Sequence, residues 1–229
     1  MANDPRFLGI LLDMDGVLLD TERVSHRCWS EAERETGVFM PEGFYFSLIG
    51  QSMPLIEQRL NGILGSSEGV RSLLEAAHAH YDRALREEEM VAKDGALALL
   101  QSLTDRQIPF CLATSTFTEL AALKLRSAGL DELVPLRVCG DMIAASKPAP
   151  DIYLSASEQL ALPPGRLLAI EDSENGLRSA LAAGCRVIHV PDIAPVPFDL
   201  QAQAFRVYAG LDGVREAIEG GDLLFADRP

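Results

Sequence analysis

The sequence predicts an α/β fold: a parallel sheet covered by helices on both faces, with a helical unit inserted after the first strand. Three observations carry this reading. Short, nearly continuous apolar runs recur at residues 7–12 (FLGILL), 109–113 (PFCLA), 167–170 (LLAI) and 186–190 (RVIHV), with a weaker one at 205–209. Runs of that length and continuity suit strands buried on both faces. Helical patterns separate the later runs, as expected of βαβ units. Between about residues 20 and 90 this alternation breaks, and no clear strand run occurs.

The first strand, over 7–12, stops at Asp13. The next seventy residues carry helical stretches at 22–36, 54–64 and 69–89. Gly, Pro and Ser clusters punctuate them at 37–43, 50–54 and 62–69. A helix is expected over 96–106, with leucines at 97, 99, 100 and 103, and the strand at 109–113 follows. The helix over 118–128 presents Leu120, Leu123 and Leu125 and ends at Gly129. Helices over 152–160, 175–183 and 211–218 complete the pattern. The resulting division is a core of residues 1–18 and 90–229 and a helical insertion of residues 19–89.

Composition narrows the function classes. The chain has 229 residues, of which 48% are hydrophobic and 24% charged, so it can bury an ordinary core. A net charge of −14 disfavours nucleic acid or an anionic membrane as partner, because both reward positive charge. No apolar run is long enough to span a bilayer. The start of the chain lacks the pattern of a secretory leader. Cys28, Cys111, Cys139 and Cys185 are scattered without a C-x-x-C pair, which fits a reduced, cytoplasmic protein.

Four short stretches carry candidate chemistry. Asp13-Met14-Asp15-Gly16 follows the first strand directly. Carboxylates two residues apart on an extended segment can face one side, and ligands of open α/β sheets bind beyond the carboxyl ends of strands. The same residues would also make a plain strand-closing turn. Glu171-Asp172-Ser173 follows the LLAI strand, where Asp172 or Ser173 would equally serve as a helix N-cap. Thr114-Ser115-Thr116 follows PFCLA and is also an ordinary helix entrance. Lys147-Pro148 holds one of only three lysines, with Lys93 and Lys124, against seventeen arginines.

Taken together, DMDGVLLDTE at 13–22, ATS at 113–115, SKPAPDIY at 146–153 and IEDSENGLRSALAAG at 170–184 resemble the haloacid dehalogenase-like superfamily. The match is to its phosphatase and β-phosphoglucomutase-like branch with a helical cap, and it covers essentially the whole chain. The resemblance implies a Rossmann-like core, a C1-type cap at the insertion, and a Mg²⁺-dependent phosphatase acting on a small phosphorylated metabolite such as a sugar or polyol phosphate. It implies Asp13 as the nucleophile that becomes an aspartyl phosphate, and Asp15 as general acid and base. Thr114 would hydrogen-bond a phosphoryl oxygen, and Lys147 would bridge Asp13 and the phosphate. Asp172 would bind Mg²⁺ with the Asp13 carboxylate and the Asp15 backbone carbonyl, while Glu171 would complete the metal set through a bound water. A monomer is the default for this branch.

The absence of lysine in the insertion argues against Schiff-base phosphonatase chemistry. A mutase is the alternative. Asp20-Thr21 matches the mutase motif, where the threonine acts at the cap hinge. The resembling mutases, however, hold a distal phosphate with a cap arginine and a Ser-Lys-Asn run. The corresponding positions here are Met53 and Thr116-Phe117-Thr118, and both cations are missing. A third reading is an idle binding module, against which every core catalytic position is filled. Substrate contacts are expected from Thr21, from the cap loop Gly50, Gln51 and Ser52, and from Ser115 and Thr116. Arg23, Arg27 and Arg59 would either meet an anionic substrate or form a solvated helix face. Trp29 is expected to pack inside the cap and His189 to be structural.

Overall fold

The computed structural model describes residues 7–49, 51, 53–87 and 90–226. Strands β1 (Gly9–Leu12), β2 (Phe110–Ala113), β3 (Arg137–Val138), β4 (Leu167–Glu171), β5 (Arg186–His189) and β6 (Arg206–Val207) form one sheet. Its order is β3-β2-β1-β4-β5-β6, and every pair is parallel. The order reverses direction at the β1/β4 junction, which is where open α/β sheets present a crevice.

The continuous apolarity of the strands has a direct cause. Ile10, Leu12, Leu112, Leu168, Ile170 and Ile188 face one buried cluster, and Leu11, Cys111, Ala113, Leu167, Ala169 and Val187 face the other. With side chains alternating between faces, a sheet covered on both sides keeps its central strands apolar, and buried polar residues enter only at their carboxyl ends, as Glu171 of β4 and His189 of β5 do. Helices α4 (Ala96–Asp105), α5 (Thr118–Ser127) and α9 (Leu211–Gly220) cover the first face. On the second face lie α6 (Asp151–Leu160), α7 (Glu174–Ala182) and the short α8 (Phe198–Gln201).

The interval that broke the strand pattern contains three helices, α1 (Thr21–Thr36), α2 (Met53–Leu64) and α3 (Ser67–Glu87). Ala32 of α1 packs with Leu73, Ala76 and Ala77 of α3, and their small side chains let the two helices approach closely. Trp29 lies against this cluster and against a second one around Leu48, Ile56, Leu60 and Val70. Two chain crossings join the helical unit to the sheet. The Asp20 amide donates to the Val91 carbonyl at 2.9 Å and the Lys93 amide to the Leu18 carbonyl at 2.9 Å.

Short elements escaped the sequence reading, among them one strand and one α-helix. Strand β3 has only two residues at the sheet edge, too short for a periodic signal, and α8 is a single turn. The weak run at 205–209 reduces to Arg206–Val207, both exposed, on the opposite edge.

Candidate active site

The site sits at the β1/β4 reversal. The Asp13 amide continues the ladder to the Ile170 carbonyl at 3.1 Å, which sets Asp13 beside the end of β4. Asp13, Glu171 and Asp172 are all buried, and they bring carboxylate oxygens within 4.8 Å of one another. Three adjacent carboxylates in a dry environment repel: two charges 4 Å apart interact by about 4 kcal/mol at an effective dielectric near 20. Burial pushes the Asp13 carboxyl up to about 7, against the pull of Lys147 and with the push of Glu171 and Asp15. Burial, with Glu171 and Asp13 beside it, raises Asp172 well above the ordinary range.

Lys147 meets this charge directly. Its Nζ donates to Asp13 Oδ1 and to Glu171 Oε1, both at 2.6 Å. Burial alone would lower its pKa, but the two carboxylates raise it. The loop behind it is tied to α7 by the Ser179 hydroxyl, which donates to the Ala149 carbonyl at 2.6 Å.

Glu171 is held more firmly than the sequence suggested. Besides Lys147, the Tyr153 hydroxyl donates to Oε1 at 2.6 Å. The Asp172 amide at 3.2 Å and the Ser173 hydroxyl at 3.3 Å donate to Oε2. Two glycines make room for this packing. A Cβ on Gly16, whose φ is +83°, would lie 2.1 Å from Asp172 Oδ2, and one on Gly176 would lie 2.0 Å from the Glu171 carboxylate. Of the two candidate caps, Ser173 caps α7 by accepting from the Gly176 amide at 3.1 Å, and Asp172 is released to the site.

The donor set fits a small divalent cation. Three carboxylates facing one lysine leave excess negative charge, and their oxygens are the hard ligands that Mg²⁺ prefers.

Asp15 faces a different environment. Lys124 Nζ donates to its Oδ1 at 2.8 Å and the Thr116 hydroxyl to its Oδ2 at 2.6 Å. Burial pushes this carboxyl up, but the Lys124 ammonium and these hydrogen bonds outweigh it and hold Asp15 below the usual carboxylate range. Thr116 therefore bonds Asp15 and does not line the cavity, contrary to the expected substrate contact. Lys124 was missed by the sequence reading. The leucine pattern at 120, 123 and 125 did not point to it: the structure shows that α5 buries Ala121, Lys124 and Leu125, so a lysine stands in the buried stripe, whereas Leu123 is exposed.

A cavity of about 550 Å³ opens over these groups. Asp13, Asp15, Thr21, Gln51, Thr114, Ser115, Lys147 and Asp172 of the expected set line it, together with Glu22, Ser25, Tyr81 and Phe117. Thr114 is fully buried, and its hydroxyl accepts from the Thr116 amide at 3.1 Å. Gly50 and Ser52 lie outside the described residues. Arg23 pairs with Asp20 at 2.7 Å, and Arg59 donates to the Ser47 hydroxyl at 2.9 Å and lies over the Phe44 ring. Neither lines the cavity, and nor does Arg27, so the substrate-facing reading of these arginines is not supported. Among the described lining residues the cations are Lys124 and Lys147, both already paired. His189 packs behind Asp172: its Nε2 faces the Asp172 carbonyl at 3.3 Å and its Nδ1 the Gln201 amide nitrogen at 3.1 Å, which makes Nε2 the protonated nitrogen.

Comparison with known proteins adds the following. A family described as haloacid dehalogenase-like hydrolase matches residues 7–184. Hexitol phosphatase A of Escherichia coli (strain K12) is 32% identical over 192 residues, covering 84% of this chain and 87% of its own. A crystal structure of a mutant of CbbY from Rhodobacter sphaeroides, in complex with xylulose-(1,5)bisphosphate, is similar with a TM-score of 0.71 and 27% identity, over 90% of this chain and 95% of that one. A HAD family hydrolase from Deinococcus radiodurans R1, with bound phosphate and sodium, gives a TM-score of 0.76 at 27% identity, over 98% and 100% of the two chains.

Proposed function

Because the chain belongs to the haloacid dehalogenase-like hydrolase family and is a phosphatase, we propose that it hydrolyses a small sugar or polyol phosphate through an aspartyl phosphate on Asp13. In this reading residues 19–89 are the cap and residues 1–18 and 90–229 the catalytic core. The observation that carries it is the unequal treatment of two carboxylates two residues apart. Asp13 faces Lys147 and the acidic cluster, and Asp15 is held by Lys124 and Thr116.

The steps follow from those positions. Asp13, its proton lost to solvent, attacks phosphorus; the bond to the leaving oxygen breaks, and Asp15, which first takes up a proton from solvent against the pull of Lys124, delivers it to that oxygen. Asp15 then takes a proton from water as the water attacks the phosphoenzyme. Lys147 lowers the repulsion between Asp13 and the phosphate dianion, and Thr114 lies within the cavity to donate to a phosphoryl oxygen. Mg²⁺, held by Asp13 and Asp172 with Glu171 beside them, would supply charge neutralisation to the phosphoryl oxygens.

Hydrolysis is favoured over phosphoryl transfer between sugar positions. A mutase must bind a bisphosphate at both ends, and each charge-assisted phosphate contact contributes about 1.5–3 kcal/mol. The described cavity lining offers Met53 and Phe117 at the relevant positions. The relative from E. coli is a hexitol phosphatase, which supports a polyol substrate.

The test is release of phosphate from p-nitrophenyl phosphate and hexitol phosphates, with and without Mg²⁺, in wild type and Asp13→Asn. Equal rates in the two proteins would refute the nucleophile. Glucose 6-phosphate formed from β-glucose 1-phosphate only when the 1,6-bisphosphate is present would favour the mutase.

A further inference from the structure

The catalytic cavity does not end above the sheet. A second chamber of about 200 Å³ opens from it into the helical unit, between α1, α2 and α3. Glu22, Ser25, Ile49, Gln51, Met53 and Tyr81 line both spaces and so form the throat between them. Beyond the throat the wall is largely apolar, with Trp29, Leu48, Ile56 and Ala77, and its polar side chains are Tyr45, whose hydroxyl donates to Glu22, and the imidazole of His78.

The polar groups of the throat share one chemical bias. Glu22 is a carboxylic acid whose Oε2 accepts from the Tyr45 hydroxyl at 3.1 Å. Gln51 donates through Nε2 to the Ser47 carbonyl at 3.1 Å, and its buried Oε1 has no hydrogen-bond partner among the described residues. A buried acceptor without a donor is costly, so this oxygen has a use for a donor brought by a ligand. Ser25 and Tyr81 add hydroxyls, which adapt to either role. No lysine or arginine lines the chamber among the described residues. Of the two lysines of the main cavity, Lys147 pairs with Asp13, and Lys124 reaches the throat, its Nζ 5.4 Å from the centre of the Tyr81 ring, but is paired with Asp15 at 2.8 Å.

We infer that the leaving group of the substrate enters this throat as an uncharged, hydroxyl-bearing chain, with its hydroxyls donating to Gln51 Oε1 and Glu22. This rests on the phosphatase reading above and narrows it. A second phosphate or a carboxylate at the same place would set anion against acceptor, with no lysine or arginine among the described lining residues of the chamber and Lys124 already held by Asp15. The size agrees with a short chain: 200 Å³ corresponds to about six or seven waters at ~30 Å³ each. Glu22 and Gln51 are thereby the specificity-determining residues, distinct from the groups that handle the phosphate.

The test is kcat/KM of the Mg²⁺-loaded protein on a panel. It comprises a hexitol phosphate and glycerol 3-phosphate, phosphoglycolate and 3-phosphoglycerate, glucose 1,6-bisphosphate, a nucleoside 5′-monophosphate, and p-nitrophenyl phosphate. The polyol phosphates are expected to exceed the carboxylate- and phosphate-bearing substrates by about tenfold or more. Gln51→Leu should lower kcat/KM for the polyol phosphates about tenfold, mainly through KM, and lower that for p-nitrophenyl phosphate less. Glu22→Gln should narrow the gap between neutral and anionic substrates. Each comparison is a ratio within one variant, so a partly unfolded preparation does not mimic it. Hydrolysis of p-nitrophenyl phosphate with an anionic substrate or the nucleotide preferred, or with ratios unmoved in both variants, overturns this inference and leaves the phosphatase reading standing. No hydrolysis of any member overturns both.

Discussion

Lys124 holds its ammonium 2.8 Å from Oδ1 of Asp15, although 109 residues separate them in the chain. The same Nζ lies 5.4 Å from the centre of the Tyr81 ring, so one cation joins the β1 loop, α5 and α3. The opposite treatment of Asp13, raised to about 7 among carboxylates, gives two aspartates of one short loop different ionisation. In the metal-free protein this split runs opposite to the proposed roles: Asp13 must lose its proton to attack and Asp15 must gain one to act as acid, so both shifts have to be offset when the phosphate and its cation are bound.

Replacing Lys124 by Met is expected to lower kcat about 10–100-fold while changing KM little, because it frees Asp15 without touching the phosphate site. Steady-state kinetics on p-nitrophenyl phosphate measure this. A change confined to KM would mean that Lys124 binds substrate directly.

Asp13→Asn should abolish at least about a thousandfold of the activity and yet stabilise the metal-free protein. The folded pKa of Asp13 is raised from 3.8, so the native state holds this proton more tightly than the unfolded chain between about pH 4 and 7. Its contribution to stability therefore falls as pH rises through that window and stays unfavourable above it. In chelator, the melting temperature of the variant should exceed wild type at pH 8 by roughly 2–4 °C for each kcal/mol released, and the difference should close towards pH 4. A variant that melts lower than wild type at pH 8 contradicts the repulsion argument.

Gly16→Ala should cost about 1–3 kcal/mol, since it places a side chain at φ +83° and against Asp172 Oδ2. Chemical denaturation measures the cost. Unchanged stability would show that the loop can move away from Asp172 freely.

Removing divalent cations with a chelator should abolish turnover, and Mg²⁺ should restore it. Mg²⁺ at a hundred times its dissociation constant should also stabilise the fold by about 2.7 kcal/mol, a gain largely lost in Asp172→Asn. Calorimetry with and without Mg²⁺ checks this, and an equal gain in the variant would place the ion elsewhere.

The strands of the centre were legible because burial on both faces demands unbroken apolarity, as in FLGILL and LLAI. The edge strand β3 and the turn α8 were not, because two to four residues carry no period. The motifs after β1, β2 and β4 marked Asp13, Thr114 and Asp172 by their position at strand ends. Lys124 was hidden because helical periodicity reports that a residue faces inward but not what it meets there.

The sequence alone determined the class of the fold, the place of the helical insertion and the family, since each follows from local pattern and motif order. Only the tertiary structure decided that Thr116 serves Asp15, that Lys124 completes the site, and that a chamber extends into the helical unit. Those facts depend on which side chains from distant segments share one small volume. That is a property of packing and charge in three dimensions, and no spacing along the chain encodes it.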